Sequence, residues 1–431
     1  MKLCWPALPN GRGSVAKAWL AFAAFATALP ATLTGAPLPR PYTVEHYDAH
    51  LTPDLAAQRI AGEVTIRLRS QIDRLDAIEL DTGSLEILRV LENQRAPYYE
   101  HNGGRLIVDL AAPAHKQEVR TLTIRYVARA AKGLVFYPDQ IYTSFFTHDW
   151  LPSNDRPDDR ATLRLLIDPP PRTKVAASGR FDGTAWLVES PTPPFLFAFA
   201  VGDFAESTTQ ADGVTLRTLG KSNVSSPTAE VLRFFAERTG HAYPGASYTQ
   251  VFTHGKVEQE AVGLTLLPES YGETLEAHPQ DLWLLAHELA HQWYAVGIQC
   301  KDWSDFWLNE GLATFMADAF LEHRYGKARY EQEIQRSRTL YEAQVAQGKD
   351  RPLSYTDWQT SDQVGGAIPY HKGALFLADL RRQLTDAVFW QGIRLYTKDN
   401  WNRPVTSDDF EKSMDTAAHK DLSKLFARWV F

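Results

Sequence analysis

The chain has 431 residues, of which 44% are hydrophobic and 23% are charged, and its formal net charge is −7. This composition is typical of a soluble globular protein, and the length is sufficient for two domains with separate cores. The acidic balance argues against nucleic-acid binding, which usually requires a basic surface. We therefore expect no nucleic-acid partner.

The N-terminal segment is typical of a secretory signal peptide. Three basic residues precede an apolar, alanine-rich run from 18 to 36, and no acidic residue occurs before Glu45. This order predicts a signal peptide over residues 1–36 and export to the periplasm or the extracellular space. An uncleaved membrane anchor is the alternative, but Pro30 interrupts a run that is already short for a bilayer. No later segment is long and apolar enough to span a membrane, so we expect no membrane insertion once the leader is removed.

The cysteines argue against both a disulfide and thiol catalysis. Cys4 lies in the predicted leader, which leaves Cys300 as the single thiol of the mature chain. One thiol cannot form an intramolecular disulfide. We expect Cys300 to be buried as a small hydrophobic residue.

Residues 41–205 have the pattern of a β domain. Apolar alternation or short apolar runs rich in β-branched and aromatic residues are separated by clusters of Gly, Pro, Asn and Asp. The clearest such segments are 62–70, 122–130, 161–169 and 195–204. Many short strands with turn signals between them predict an antiparallel, sandwich-like N-terminal domain.

Residues 206–431 change to a mostly helical pattern. A helix is expected from Ser226-Pro227 to Gly240, followed by strands at 249–254 and 261–269. Helical spacing then predicts two long helices, at 281–297 and from Ser304 to Gly326. Further helices are expected at 328–348, 372–384, 386–397 and 421–430. The predicted fold class is therefore α+β, with a small mixed sheet inside a mainly helical C-terminal domain.

The first of these long helices contains the motif HELAH, from His287 to His291. Residues i and i+4 share one helical face, so both imidazoles can bind a single metal ion. Glu288 lies about a third of a turn away, where its carboxylate can reach a metal-bound water rather than the metal. A mixed sheet followed by helices, with this motif in the first long helix, is similar to a thermolysin-like domain.

A third ligand is predicted at Glu310, in the segment WLNEG. Eighteen residues separate it from His291, enough for the chain to leave one helix, turn and begin another. Two histidines and one carboxylate with an open fourth position are the ligand set of a catalytic Zn²⁺. The alternative, a salt-bridged pair of helices without metal, explains neither the ligand types nor their spacing.

The stretch from His287 through NEGLATF resembles the zinc site of the aminopeptidase N family of gluzincins, which includes leukotriene hydrolase. The resemblance implies that His287, His291 and Glu310 bind one Zn²⁺ and that Glu288 is the general base. It also covers the β domain, where LPSNDRP is similar to a family motif. A typical member has a further large helical C-terminal domain, whereas this sequence stops at LFARWVF, where the catalytic domain of the family ends.

Two further roles follow from this resemblance. Tyr370, in YHKGA, matches a tyrosine that donates a hydrogen bond to the oxyanion of the tetrahedral intermediate. Glu260 matches the glutamate that binds the free amino terminus of the substrate, although GKVEQEA departs from the family motif and Glu258 is the alternative. A second polar anchor of the family falls at Thr143, which is a departure.

The resemblance therefore implies a zinc metalloaminopeptidase that acts on peptides. The strand at 261–269 is expected to bind an extended peptide by strand addition. The departures at Thr143 and in GKVEQEA leave a zinc endopeptidase as the main alternative. An epoxide hydrolase is a weaker alternative, because the sequence gives no positive sign of one. A binding protein without turnover is also weaker, because a retired site needs neither Glu288 nor Tyr370.

Overall fold

The computed structural model describes residues 40–222, 224–358 and 363–431. The predicted signal peptide, residues 1–36, lies outside these residues. Among the helices that are described, none combines the length and the apolar character needed to cross a membrane.

The N-terminal part consists of strands in which buried and exposed side chains alternate. The strands are β1 (Tyr42–Asp54), β2 (Arg59–Ser70), β3 (Leu75–Asp81), β4 (Glu86–Glu92), β5 (Tyr99–Asn102), β6 (Arg105–Ala114), β7 (Val119–Arg129), β8 (Leu134–Phe136), β9 (Gln140–Thr143), β10 (Ala161–Ile167), β11 (Lys174–Ala177), β12 (Arg180–Phe181), β13 (Trp186–Thr192) and β14 (Phe199–Gly202). The alternation arises because one face of each strand covers the core.

These strands form three sheets. Their orders are β12-β13-β10-β1-β2-β7-β4, β3-β6-β5 and β11-β14-β9-β8. The predicted β-rich domain is confirmed, and its neighbouring strands are antiparallel except at one described pair. There β1 runs parallel to β10, with His46 opposite Thr162. Parallel pairing requires a long connection between the two strands, and the alternation of side chains contains no information on strand direction.

The second part begins with a five-stranded mixed sheet. Its strands are β15 (Glu206–Ala211), β16 (Val214–Leu219), β17 (Ser247–Thr253), β18 (Gln259–Ala261) and β19 (Leu264–Pro268), in the order β15-β16-β17-β19-β18. The predicted single strand over 261–269 is wrong. The segment turns at Gly263, whose φ of +67° favours glycine, and β18 pairs back on β19. Consequently β18, not β19, is the edge strand on this side of the sheet.

The remaining elements are mostly helices. They are α1 (Ser225–Thr239), α2 (Glu269–Ala277), α3 (Trp283–Ala290), α4 (Trp307–Tyr325), α5 (Lys327–Ala346), α6 (Gly373–Leu384), α7 (Asp386–Asn400), α8 (Ser407–Ala418) and α9 (Ser423–Trp429). A short parallel pair joins β20 (Gln299–Cys300) to β21 (Pro404–Val405), and Ile368–Lys372 forms a π-helical turn before α6.

The predicted α+β class and the mainly helical second part are confirmed, with two differences in the helices. The sequence pattern missed α2 and α8. The helix expected over 281–297 ends at Ala290 and is followed by turns, and the φ of +153° at Ala295 is incompatible with a helix that reaches Gly297. Cys300 is 1% exposed, as expected, and burial raises the pKa of its thiol well above its usual range.

Candidate active site

The two histidines of the motif and Glu310 meet where α3 ends and α4 begins. His287 lies in the last turn of α3, His291 caps that helix, and Glu310 lies in the first turn of α4. The two Nε2 atoms are 3.2 Å apart, and each is 3.4 Å from Oε2 of Glu310. All three side chains are buried.

This triangle fits a tetrahedral zinc ion. Zn–N and Zn–O bonds of about 2.0–2.1 Å place neighbouring ligand atoms of a tetrahedron roughly 3.3–3.4 Å apart. The two edges to Oε2 of Glu310 have that length, and the edge between the two Nε2 atoms is slightly shorter at 3.2 Å. Moreover, Oε2 of Glu310 is buried and has no conventional hydrogen-bond partner among the described residues. A cation at the centre would compensate for its burial.

The second nitrogen of each ring helps to fix the orientation of the first. Nδ1 of His291 lies 3.0 Å from the carbonyl oxygen of Tyr294, which sets the tautomer and leaves Nε2 free. Nδ1 of His287 faces the hydroxyl of Thr314, one turn after Glu310, at the longer distance of 3.5 Å. The outer contacts of the two rings therefore differ in strength.

Burial and charge give these groups different protonation states. Burial lowers the pKa of His287 to about 4, and the nearby charge of His291 acts in the same direction. The neutral imidazole that results is the form that binds metal. Burial opposes ionisation of Glu310, but His291 and His287 lower its pKa to about 2. Burial also opposes the charge of His291, but Glu310 and Glu260 outweigh it and raise its pKa to about 10.

Two more carboxylates lie beside this triangle. Oxygens of Glu260 and Glu288 come within 4.8 Å of each other and of a ring nitrogen of His291. Burial raises the pKa of Glu288 well above its usual range, and the charges of Glu260 and Glu258 add to this. A carboxylate with a raised pKa can hold and release a proton, as a general base and acid must.

The structure brings Tyr370 to the same centre from the π-helical turn before α6. Its ring lies 5.9 Å from that of His287 and is tilted by 21°. Burial raises the pKa of the phenol well above its usual range, and the three carboxylates at the site act in the same direction. The hydroxyl therefore remains protonated and can donate a hydrogen bond.

These side chains line a cleft of about 220 Å³ between the two parts of the chain. One wall comes from the β-rich part, through Val135, Tyr142, Ser144 and Phe145. The other includes Lys256, Val257 and Glu258, which precede β18, and Glu260 on that strand. A substrate in this cleft would therefore contact both parts.

Glu260 and Glu258 both line the cleft, at different depths. Glu260 lies on the edge strand β18, is 2% exposed, and its Oε1 has no hydrogen-bond partner in the described part of the chain. Burial raises its pKa to about 7, and the nearby charge of Glu310 adds to this. Glu258 is half-buried and precedes the strand. Of the two, Glu260 lies closer to the metal triangle, because its carboxylate, unlike that of Glu258, clusters with the carboxylate of Glu288 and a ring nitrogen of His291.

Gln292, for which no role was predicted, fixes the hairpin of β18 and β19. Its amide nitrogen donates to the carbonyl of Ala261 at 2.9 Å, and its amide oxygen accepts from the backbone N–H of Gly263 at 2.9 Å. The residue after the second histidine thus connects the metal site to the strand that carries Glu260. Its position directly after HELAH was the available signal.

Thr143 does not face the cleft. Its hydroxyl contacts the backbone of Phe199 inside the sheet, accepting from the N–H at 3.1 Å. Its neighbours Tyr142 and Ser144 line the cleft instead. The position at which the family resemblance expects a second polar anchor therefore offers none.

Two buried histidines and a carboxylate around a tetrahedral position, with a second glutamate beside them, define the site of a single-zinc hydrolase. Sequence comparison agrees with this class. The Peptidase M1 N-terminal domain matches residues 43–184, and the Peptidase family M1 domain matches residues 227–429. The chain belongs to peptidase family M1.

Known proteins similar to this chain include aminopeptidases and probable aminopeptidases. A probable aminopeptidase 1 of Sulfurisphaera tokodaii is 25% identical over 90% of the chain, and a glutamyl aminopeptidase of Bitis rhinoceros is 22% identical over 89%. The alignments span 52% and 46% of those proteins, so the chain covers about half the length of these relatives.

Among solved structures, an M1 zinc metallopeptidase from Deinococcus radiodurans is similar over nearly its whole length. It superposes with a TM-score of 0.75 at 25% identity, covering 91% of this chain and 94% of the other. This similarity extends over both parts of the fold, the β-rich part and the mainly helical one.

Proposed function

We propose that this chain is a zinc-dependent aminopeptidase that hydrolyses the N-terminal peptide bond of peptides. The observation that supports it most directly is the buried carboxylate of Glu260, which lies beside Glu288 and His291 and has an oxygen without a hydrogen-bond partner among the described residues. A buried carboxylate aimed into a cleft is suited to bind a cation. The amino terminus of a peptide is the cation that would place the first peptide bond at the metal.

His287, His291 and Glu310 would hold the zinc ion. When bound, Zn²⁺ polarises the scissile carbonyl and lowers the pKa of an attacking water. Binding of the ion would displace the proton that His291 otherwise holds. Two neutral imidazoles and a single carboxylate would then leave the centre with a net positive charge, which favours both effects.

Glu288 moves the proton. Its carboxylate accepts a proton from the attacking water and delivers it to the nitrogen of the leaving amine. Burial and the neighbouring carboxylates raise the pKa of Glu288, which favours the protonated form once the proton of the water has been accepted. Tyr370 donates its phenolic proton in a hydrogen bond to the oxygen of the reacting carbonyl, where negative charge develops.

A peptide in two forms tests the proposal. The same sequence is offered with a free and with an acetylated N-terminus, and products are identified by mass. We expect zinc-dependent release of the first residue from the free form and at least a hundredfold slower turnover of the acetylated form. Comparable internal cleavage of both forms would instead identify a zinc endopeptidase.

Glu260 and Glu258 provide a matched pair of variants for this test. We expect Glu260→Gln to raise KM for the free peptide and to remove most of the discrimination against the acetylated one. Glu258→Gln, which changes an acid farther from the triangle, should retain the discrimination. The reverse result would assign the anchor to Glu258.

We further propose that the protein is exported through the leader at residues 1–36 and acts in the periplasm or outside the cell. The basic, apolar and small-residue order of the leader supports this. N-terminal sequencing of the protein from fractionated cells tests it. A mature chain that begins after Ala28, Ala31 or Ala36 supports export, and an intact N-terminus in the cytoplasm contradicts it.

A further inference from the structure

The helices α3 and α4 contact each other through matched residues at one-turn intervals. On α3 and at its end these are Trp283, His287 and His291, and on α4 they are Glu310, Thr314 and Asp318. Residues i, i+4 and i+8 share one face of a helix. The metal triangle occupies one end of this contact, and the pair of Trp283 and Asp318 occupies the other.

Asp318 binds Trp283 directly. The indole Nε1–H donates to Oδ1 of Asp318 at 2.8 Å. Asp318 is completely buried, and its Oδ2 has no hydrogen-bond partner within the described residues. Burial raises the pKa of this carboxyl well above its usual range, so a neutral acceptor suits the position. The bond fixes the rotation of the indole ring on α3.

The indole ring in turn lies against a metal ligand. Trp283 and His287 are stacked, with centroids 4.8 Å apart and an angle of 17° between the rings. The hydrogen-bond contact at Nδ1 of His287 is long, at 3.5 Å, whereas His291 has a carbonyl at 3.0 Å. His287 therefore has a weaker polar support than His291 and a more extensive aromatic one.

We propose that Trp283, oriented by Asp318, is a positioning residue for the zinc ligand His287. It holds the imidazole plane so that Nε2 points to the centre of the triangle. Neither residue belongs to the HELAH and NEG motifs. The proposal rests on the zinc site of the proposed function but not on the substrate.

Zinc affinity measured by chelator competition tests the proposal without any peptide. Trp283→Leu removes both the ring and its bond, and we expect it to weaken zinc binding about tenfold or more, the usual effect of losing an outer contact of a ligand. Trp283→Phe retains an aromatic ring and should weaken zinc binding less than Trp283→Leu does. Asp318→Leu should weaken binding, while Asp318→Asn, which retains an acceptor oxygen, should restore it to within about threefold of the wild type.

Two additional measurements separate positioning from a general loss of structure. The visible spectrum of the Co²⁺-substituted protein should change in Trp283→Leu and Asp318→Leu but not in Asp318→Asn. Because both residues act through one ring, the double variant Trp283→Leu/Asp318→Leu should bind zinc no more weakly than Trp283→Leu alone. Trp186→Leu, at a half-buried tryptophan of the β-rich part, is the control for losing an indole.

The outcomes are distinct. Variants that melt earlier as apoproteins but retain wild-type zinc affinity and the Co²⁺ spectrum would overturn the proposal, and so would additive losses in the double variant. If the wild type binds zinc and His287→Ala does not, the wild type binds the ion through the site described above. Failure of the peptide assay would then contradict the proposed function alone.

Discussion

Gly311 and Gly373 touch through their backbones. A Cβ atom added to Gly373 would lie 2.8 Å from Cα of Gly311, and one added to Gly311 would lie 3.0 Å from the carbonyl oxygen of Pro369. Gly311 follows the ligand Glu310 on α4, and Gly373 begins α6, directly after the turn that contains Tyr370. The distance between metal ligand and phenol is therefore set by backbone contact.

The first prediction is that Gly373→Ala lowers both stability and activity. The added methyl group has no space, because the atom it meets belongs to the backbone and cannot rotate away. We expect a loss of about 1–3 kcal/mol in the free energy of unfolding, as for overpacked cores. We also expect a lower kcat, because Tyr370 would move from the metal. Denaturant unfolding and peptide kinetics measure the two effects.

Ala378→Gly, at a half-buried position of the same helix, is the control. It should cost up to about 1 kcal/mol through helix propensity and leave kcat unchanged. If Gly373→Ala changed stability but not kcat, the contact would not position Tyr370.

A second prediction concerns the phenol itself. Tyr370→Phe removes the hydroxyl that donates to the developing oxyanion, and we expect kcat to fall about 10²–10³-fold with little change in KM. Tyr142→Phe is a matched control, because Tyr142 lines the same cleft but donates its hydroxyl to the carbonyl of His254. Equal losses of kcat in both variants would show that any hydroxyl in the cleft suffices. Steady-state kinetics with the free-amine peptide provides the comparison.

The third prediction is that Gln292→Ala impairs substrate binding rather than the metal. Without the amide, the N–H of Gly263 and the carbonyl of Ala261 lose buried hydrogen bonds that are worth roughly 1–3 kcal/mol when left unsatisfied. The hairpin that carries Glu260 should shift, and KM for the free-amine peptide should rise about tenfold. Zinc content, measured by metal analysis, should remain at the wild-type level.

Gln299→Ala is the corresponding control. Gln299 is also buried and donates to a backbone carbonyl, but that carbonyl belongs to Val296 and not to the hairpin. It should have little effect on KM. A loss of zinc in Gln292→Ala would mean that Gln292 acts on the metal site instead.

Local patterns in the sequence were sufficient to predict that His287, His291 and Glu310 come together as a candidate metal site. The i, i+4 spacing of His287 and His291 follows from helix geometry alone, and the ligand types identify the metal. To predict Glu310 as the third ligand, it was enough to assume a turn between two helices. Each of these depends on short-range rules that the structure obeys.

What could not be predicted depends on contacts between distant segments. The parallel pairing of β1 with β10 joins strands that are more than a hundred residues apart, and alternation does not reveal direction. The turn at Gly263 could not be predicted, because one glycine in an apolar run is compatible with a turn and with a continuous strand. Helical spacing places Trp283 next to His287. The hydrogen bond that the indole donates to Asp318 could not be predicted, because Asp318 lies on another helix.

The last prediction is a pH dependence of stability centred on His254. Nδ1 of this histidine lies 2.7 Å from Glu269, and Nε2 lies 3.2 Å from Asp139 in the β-rich part. Partial burial opposes the charge, but the two carboxylates outweigh it and raise the pKa of His254. A raised pKa means that the folded protein holds this proton more tightly than the unfolded chain does. The stabilisation is therefore complete below the unfolded pKa of about 6.5 and is lost as the pH rises through the folded pKa.

We therefore expect the wild type to be more stable than His254→Gln at about pH 6, with the difference shrinking towards pH 9. The free energy of unfolding in denaturant, measured for both proteins across this range, checks it. The difference should be small and should decrease in high salt, because the pair is partly exposed and screened. In an Asp139→Asn background the dependence should weaken, since one of the two carboxylates is gone. A difference between wild type and His254→Gln that is the same at both ends of the range would show that His254 connects the two parts without its charge.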